Sequence, residues 1–172
     1  AKIIELEREE SGEGSIAGAE VEIDTRRRCL ELECNNPDMW WARQFSNPAN
    51  VEAHVKTGRE LLEQLDGEID VFVASIGVGG TLYGVAKALK EKLPDAMIVG
   101  AEPASARYPI SEGYYEVPGA SEEVTGGIIK EMMESGLIDR VEKVGNGEAI
   151  DMAEQLVTRE GLFCGVSSGA NV

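Results

Sequence analysis

Residues 75–81 read Ser75, Ile76, Gly77, Val78, Gly79, Gly80, Thr81, a stretch that can hold an anion through its backbone. Three glycines remove the Cβ atoms that would keep a ligand away from consecutive N–H groups, and a helix starting behind them adds the positive end of its dipole. A dinucleotide fingerprint fits poorly because Leu82 stands at the place of its third glycine, and no Gly-Lys-Ser/Thr follows to make a nucleoside-triphosphate loop. A single phosphate is the better ligand; a glycine-rich strand-to-helix turn with no ligand is the plain alternative. A second cluster, Gly165, Val166, Ser167, Ser168, Gly169, Ala170, sets two hydroxyls beside glycines. They can donate to a ring nitrogen or a second anion, or cap the next helix. Ser167 lacks the partner of an activated nucleophile. His54, the only histidine, falls in the first turn of a helix opening at Asn-Pro, a setting that favours a structural role. Cys29, Cys34 and Cys164 complete no zinc-type spacing, and an odd cysteine count favours a reducing compartment, which points to the cytoplasm.

Both clusters need elements to present them. Val51, Val55, Leu62 and Leu65 recur at helical spacing behind Asn47, Pro48 and Asn50. Ile69 to Ala74 is a short β-rich apolar run ending in the glycine loop, and Leu82, Val85, Ala86, Leu89 and Leu93 predict a helix stopped by Pro94. A second apolar strand, Met97 to Ala101, follows. Helix, strand, helix, strand is the pattern of an α/β fold, a parallel sheet with flanking helices. After an aperiodic excursion from Arg107 to Val124, the alternation resumes with a weak helix at 126–136, a strand at Val141 to Val144 and a helix from Ala149 to Glu160 ended by Gly161. Near the start, Ala19, Val21 and Ile23 alternate with Glu20, Glu22 and Asp24, which predicts a strand exposed on one side; 26–36 reads as charged and irregular.

The 172 residues carry 32 Asp and Glu against 16 Lys and Arg, a formal net charge of -16. That balance disfavours nucleic-acid backbones and anionic lipid, which need a basic surface, and otherwise describes a well-solvated surface, a salt-adapted host or a basic partner. No apolar run reaches the roughly 20 residues of a membrane-spanning helix, and the charged residues of 1–10 do not resemble a signal peptide. The chain does not begin with Met, so a fragment is expected.

Three motifs in order carry a resemblance: Gln44, Phe45, Ser46, Asn47, Pro48, Ala49, Asn50 with His54 beyond; the Gly77 to Thr81 loop; and Gly161 to Gly169. Together they resemble the cysteine synthase and cystathionine β-synthase family of pyridoxal-phosphate enzymes. The resemblance implies a fold-type II enzyme fold, incomplete here, with 1–43 a remnant of the small domain and 44–172 part of the large cofactor-binding domain. It implies pyridoxal 5'-phosphate as cofactor, its phosphate held by Gly77, Val78, Gly79, Gly80 and Thr81, with Val78 in place of a usual threonine. Ser167 would meet the pyridine nitrogen, and Gln44 would help hold the substrate carboxylate. The implied reaction is β-replacement on an activated serine by sulfide or a thiol, in a homodimer; cysteine synthase is the first choice and a cystathionine β-synthase-like enzyme the second. The family's Schiff-base lysine stretch, Ser-x-Lys-Asp-Arg-like, does not occur in this chain, nor does its carboxylate-gripping Ser-Gly-Asn-Thr-Gly-like loop. A shortened chain accounts for that, and so does a non-catalytic relative that keeps a phosphate-binding or partner-binding surface. The usual Gly-Ile-Gly run near the cofactor is represented only by Gly126 and Gly127.

Overall fold

The computed structural model describes residues 17–106, 109–114 and 126–172. Helix α1 spans Ala17–Asn35 and α2 spans Pro48–Gln64. Then come β1 (Val71–Ser75), α3 (Gly80–Lys92), β2 (Met97–Pro103), a 3-10 turn at Ile110–Glu112, α4 (Ile128–Glu134), β3 (Arg140–Val144), α5 (Asn146–Glu160) and the short α6 (Val166–Gly169). The three strands form a parallel sheet in chain order, with Val71 opposite Met97 and Val99 opposite Arg140. Parallel neighbours require crossovers, which α3 and α4 supply.

The boundaries follow local chemistry. The Asn47 side chain accepts from the Ala49 N–H and Pro48 occupies the first turn, where a missing N–H costs nothing. Gly161 closes α5 with φ +70°, a conformation that a Cβ would strain. The core lies where α3 meets the sheet: Leu82, Val85, Leu89 and Ile98 are fully buried, joined by Met132 from α4. Helices α2 and α3 approach closely because both are small at the contact. A Cβ on Gly58 would stand 2.7 Å from Ala88 Cβ, and one on Gly84 would stand 2.5 Å from His54 Cβ.

The predicted strand at 19–24 is wrong, and so is the irregular reading of 26–36 up to Asn35: both stretches lie in α1, which ends there. The local alternation gave way to a run rich in Arg, Glu and Leu, strong helix formers, with Arg27–Asp24 and Arg28–Glu31 pairs spaced by three residues. Much of the Arg107 to Val124 excursion lies outside the described residues; the part described contains the turn at Ile110–Glu112.

Asp139, just before β3, accepts from the Ile98 N–H at 2.6 Å and pairs with Lys90 at 3.0 Å. The backbone N–H bond, aided by Lys90 and opposed by partial desolvation, holds its carboxyl below the ordinary value of 3.8. A carboxyl depressed on folding stabilises the native state above its unfolded pKa, and that contribution is lost as pH falls through the folded value. Asp139→Asn is therefore expected to flatten the part of the acid-stability profile below pH 3.8, measured by urea unfolding across pH. An unchanged profile would mean that the pair contributes nothing.

Candidate functional site

The glycine loop leaves β1 at Ser75 and enters α3 at Gly80, as its strand-before-helix order requires. None of the N–H groups from Gly77 to Thr81 has an acceptor among the described residues. Such a row at a helix start is able to hold an anion. Its glycines serve different ends. A Cβ on Gly77 would meet nothing within 4 Å, so the backbone there is open to a ligand. Gly79 has φ +85°, and a Cβ on it would press at 3.3 Å on Ile128 and Ile129 of α4; this glycine is set by backbone conformation and packing rather than by ligand approach. A Cβ on Gly80 would collide with the Asn50 side chain.

Asn50 ties the first motif to the loop. Packed on Gly80, it donates from Nδ2 to the Gln44 carbonyl at 2.8 Å. His54, in the second turn of α2 rather than the first, reaches Thr81 Oγ1 with Nε2 at 3.1 Å. Gly126, at φ +80°, lies against Phe45, the neighbour of Gln44 in the chain, and the Ile128 N–H donates to the Phe45 carbonyl at 3.3 Å.

Ser167 stands in α6. The helix cap is Gly165, and no side chain makes a cap bond there, so the capping alternative does not describe Ser167. Its hydroxyl has no partner among the described residues. Gly169 is small for a packing reason: a Cβ there would run into the Ala149 carbonyl and stand 2.7 Å from Ala153 N, both in α5. At the other end of the motif, Ser75 Oγ donates to Asn171 Oδ1 at 2.6 Å, joining the end of β1 to the residues after α6.

These elements meet around a cavity of about 290 Å³ at the carboxyl ends of the three strands. Ser75, Gly77, Glu102, Val144 and Ser167 are among its lining residues. That is where a parallel sheet gathers ligands. The structure thus brings Gly77 and Ser167 together, with Val78, Gly79, Gly80 and Thr81 continuing from the cavity wall into α3. Gln44 does not line the cavity; among the described residues it is linked to the loop through Asn50.

Glu102 is the site residue that motif reading missed. It is 3% exposed, and its carboxylate accepts from the Ile110 N–H at 2.6 Å and from the N–H and hydroxyl of Ser111. The signal was present: a lone carboxylate inside an apolar strand must find donors.

The arrangement suits a ring-bearing phosphate ester. Among the described residues, a row of free N–H groups continues from one wall, an unpaired hydroxyl stands on another, and a half-open, largely apolar space lies between them. Comparison with known proteins agrees. The family model described as "Pyridoxal-phosphate dependent enzyme" matches residues 1–172. A cysteine synthase of Staphylococcus aureus is 40% identical over 132 residues, which are 76% of this chain and 42% of that protein. One of a Flavobacterium species is 37% identical over 136 residues, 78% of this chain and 44% of its own length. Among solved structures, cysteine synthase from Entamoeba histolytica superposes with a TM-score of 0.68 at 32% identity, covering 85% of this chain and 43% of that one. A hydrogen sulfide-producing enzyme of Fusobacterium nucleatum gives 0.69 at 37% identity, over 84% and 44%. The chain spans less than half the length of these relatives. With the family model matched along its whole length and a parallel sheet that superposes on solved members, the chain belongs to the pyridoxal-phosphate dependent enzymes, with an incomplete fold-type II architecture.

Proposed function

We propose that the whole protein is a cysteine synthase, replacing the β-substituent of an activated serine such as O-acetylserine with sulfide. The observation that carries this reading is the single cavity that Gly77 and Ser167 line at the strand ends. Bound there, pyridoxal 5'-phosphate supplies the electron sink that lets the α-proton and the β-substituent of an amino acid leave.

The residues of this chain bind and orient. The N–H groups from Gly77 to Thr81, with the Thr81 hydroxyl, hold the phosphate in a row that needs no rearrangement. Ser167 donates to the ring nitrogen without placing a carboxylate beside it, so the nitrogen is not driven to full protonation. Gln44, its backbone carbonyl fixed by Asn50, takes the substrate carboxylate. The proposal places these contacts in a large domain over 44–172, with 1–43 belonging to a smaller one, in a cytoplasmic homodimer. Names of relatives at 37% and 40% identity support the choice of cysteine synthase.

The test uses the full-length protein with O-acetylserine and sulfide, measuring cysteine formation and melting temperature together. Ser167→Ala is expected to slow turnover severalfold with little change in melting, about what one lost hydrogen bond supplies. Ser167→Asp, which favours a protonated ring, is expected to suppress turnover at least about tenfold. Normal turnover in both variants, or a full-length protein that makes no cysteine, would overturn the reading.

A further inference from the structure

Thr81 is the only residue from Gly77 to Thr81 with a side-chain donor, since Val78 has none and the remaining three are glycines. The nearby Ser75 hydroxyl is committed to Asn171. Within residues 75–81 a phosphate in the cradle therefore meets one free side-chain hydroxyl, and a hydroxyl is a rotor whose proton can point several ways. His54 is the group that limits it. Its Nε2 lies 3.1 Å from Thr81 Oγ1, and its Cβ is packed at the point where α2 crosses Gly84. The other ring nitrogen, Nδ1, is buried with no partner among the described residues.

Nδ1 goes without a partner in either neutral form of the ring, so the choice of tautomer is made at Nε2. A proton on Nδ1 would turn Nε2 into an acceptor that takes up the Thr81 hydroxyl proton. With the proton on Nε2 the ring donates, Oγ1 accepts, and the Thr81 O–H is left for a phosphate oxygen, so an anion in the loop favours the Nε2–H form. We propose that His54 is a positioning residue, whose Nε2–H aims the Thr81 hydroxyl at an oxygen of the bound phosphate. The inference rests on the phosphate reading of residues 77–81 and adds to it a role for a residue of α2.

The test measures the affinity of the full-length protein for pyridoxal 5'-phosphate and for pyridoxal, which lacks the phosphate, by calorimetry. Melting temperature confirms folding. Thr81→Val and His54→Phe are each expected to weaken pyridoxal 5'-phosphate about three- to tenfold, the range of one hydrogen bond, and to leave pyridoxal within about twofold. The double variant should be no weaker than either single one, because both remove the same bond to phosphate. His54→Gln, whose amide keeps an N–H donor, should recover most of the loss and return the phosphorus-31 resonance of the bound phosphate toward its original position. His54→Leu provides a second apolar replacement if the larger ring of phenylalanine unfolds the protein. If the unsubstituted protein binds pyridoxal 5'-phosphate no more tightly than pyridoxal, the cradle reading itself fails and this inference with it; if that preference holds but Thr81→Val leaves it unchanged, the backbone cradle stands and neither the hydroxyl nor His54 has a part in it. If Thr81→Val weakens phosphate binding selectively while the apolar His54 variants do not, or add independently to it, the cradle stands and His54 has no positioning role.

Discussion

Gly84→Val is expected to cost about 3 kcal/mol or more and to leave little folded protein at 37 °C. The side chain would have to occupy space filled by the Val51 carbonyl and His54 Cβ on α2, and a backbone atom cannot swing aside as a side-chain tip can. Relief comes only by moving the helices apart. That would loosen Gly58 from Ala88 and open the side of α3 that carries Leu82, Val85 and Leu89, all fully buried. The midpoint of urea unfolding measures the effect, and a variant with the original midpoint would show that α2 can repack at no cost. Because α2 also carries Asn50 and His54, any surviving native fraction should hold phosphate less well than its melting behaviour alone implies.

Glu102→Ala is expected to destabilise by about 2–4 kcal/mol, for a different reason. Nothing is crowded; instead two backbone N–H groups and a hydroxyl lose a common acceptor in a place where water does not replace it readily. Amide exchange localises the loss: Ile110 and Ser111 should exchange far faster, while Ile98 and Val99 in the same strand change only with global stability. Glu102→Gln keeps one carbonyl acceptor and should recover part of the protection. Unaltered exchange at Ile110 would mean that the turn is held by something other than this carboxylate.

The sequence was informative where one physical signal acted alone. Strands β1 and β2 announce themselves as short apolar runs closed by glycine or proline, and α3 as a periodic run ending before Pro94. The loop between β1 and α3 was legible because its glycines sit at a strand-to-helix junction, where the first N–H groups of a helix lack partners within it. Helix α1 was not, because Ala19 to Asp24 alternates in the manner of a strand while the residues behind it favour helix, and the longer stretch prevailed. Gly79 shows another limit. Its type was visible, but whether it was needed for a ligand or for φ +85° against Ile128 depends on α4, some fifty residues onward. The same holds for His54: a lone histidine after Asn-Pro has no evident chemistry until the fold sets it opposite Thr81.

The walls of the strand-end cavity come from distant parts of the chain, Ser75 and Gly77 on one side and Val166, Ser167 and Ala170 on another. Only one side-chain hydrogen bond between described residues, Ser75 to Asn171, crosses that interval of 96 residues. A molecule gripping both walls acts as a reversible clasp, making the docking of residues 166–172 and its own occupancy parts of one linked equilibrium. At a free concentration a hundred times its dissociation constant, such a clasp adds about 2.7 kcal/mol to the closed state. Scarcity of the clasping molecule would therefore register first as fraying at α6, well before the α2–α3 core loses its structure.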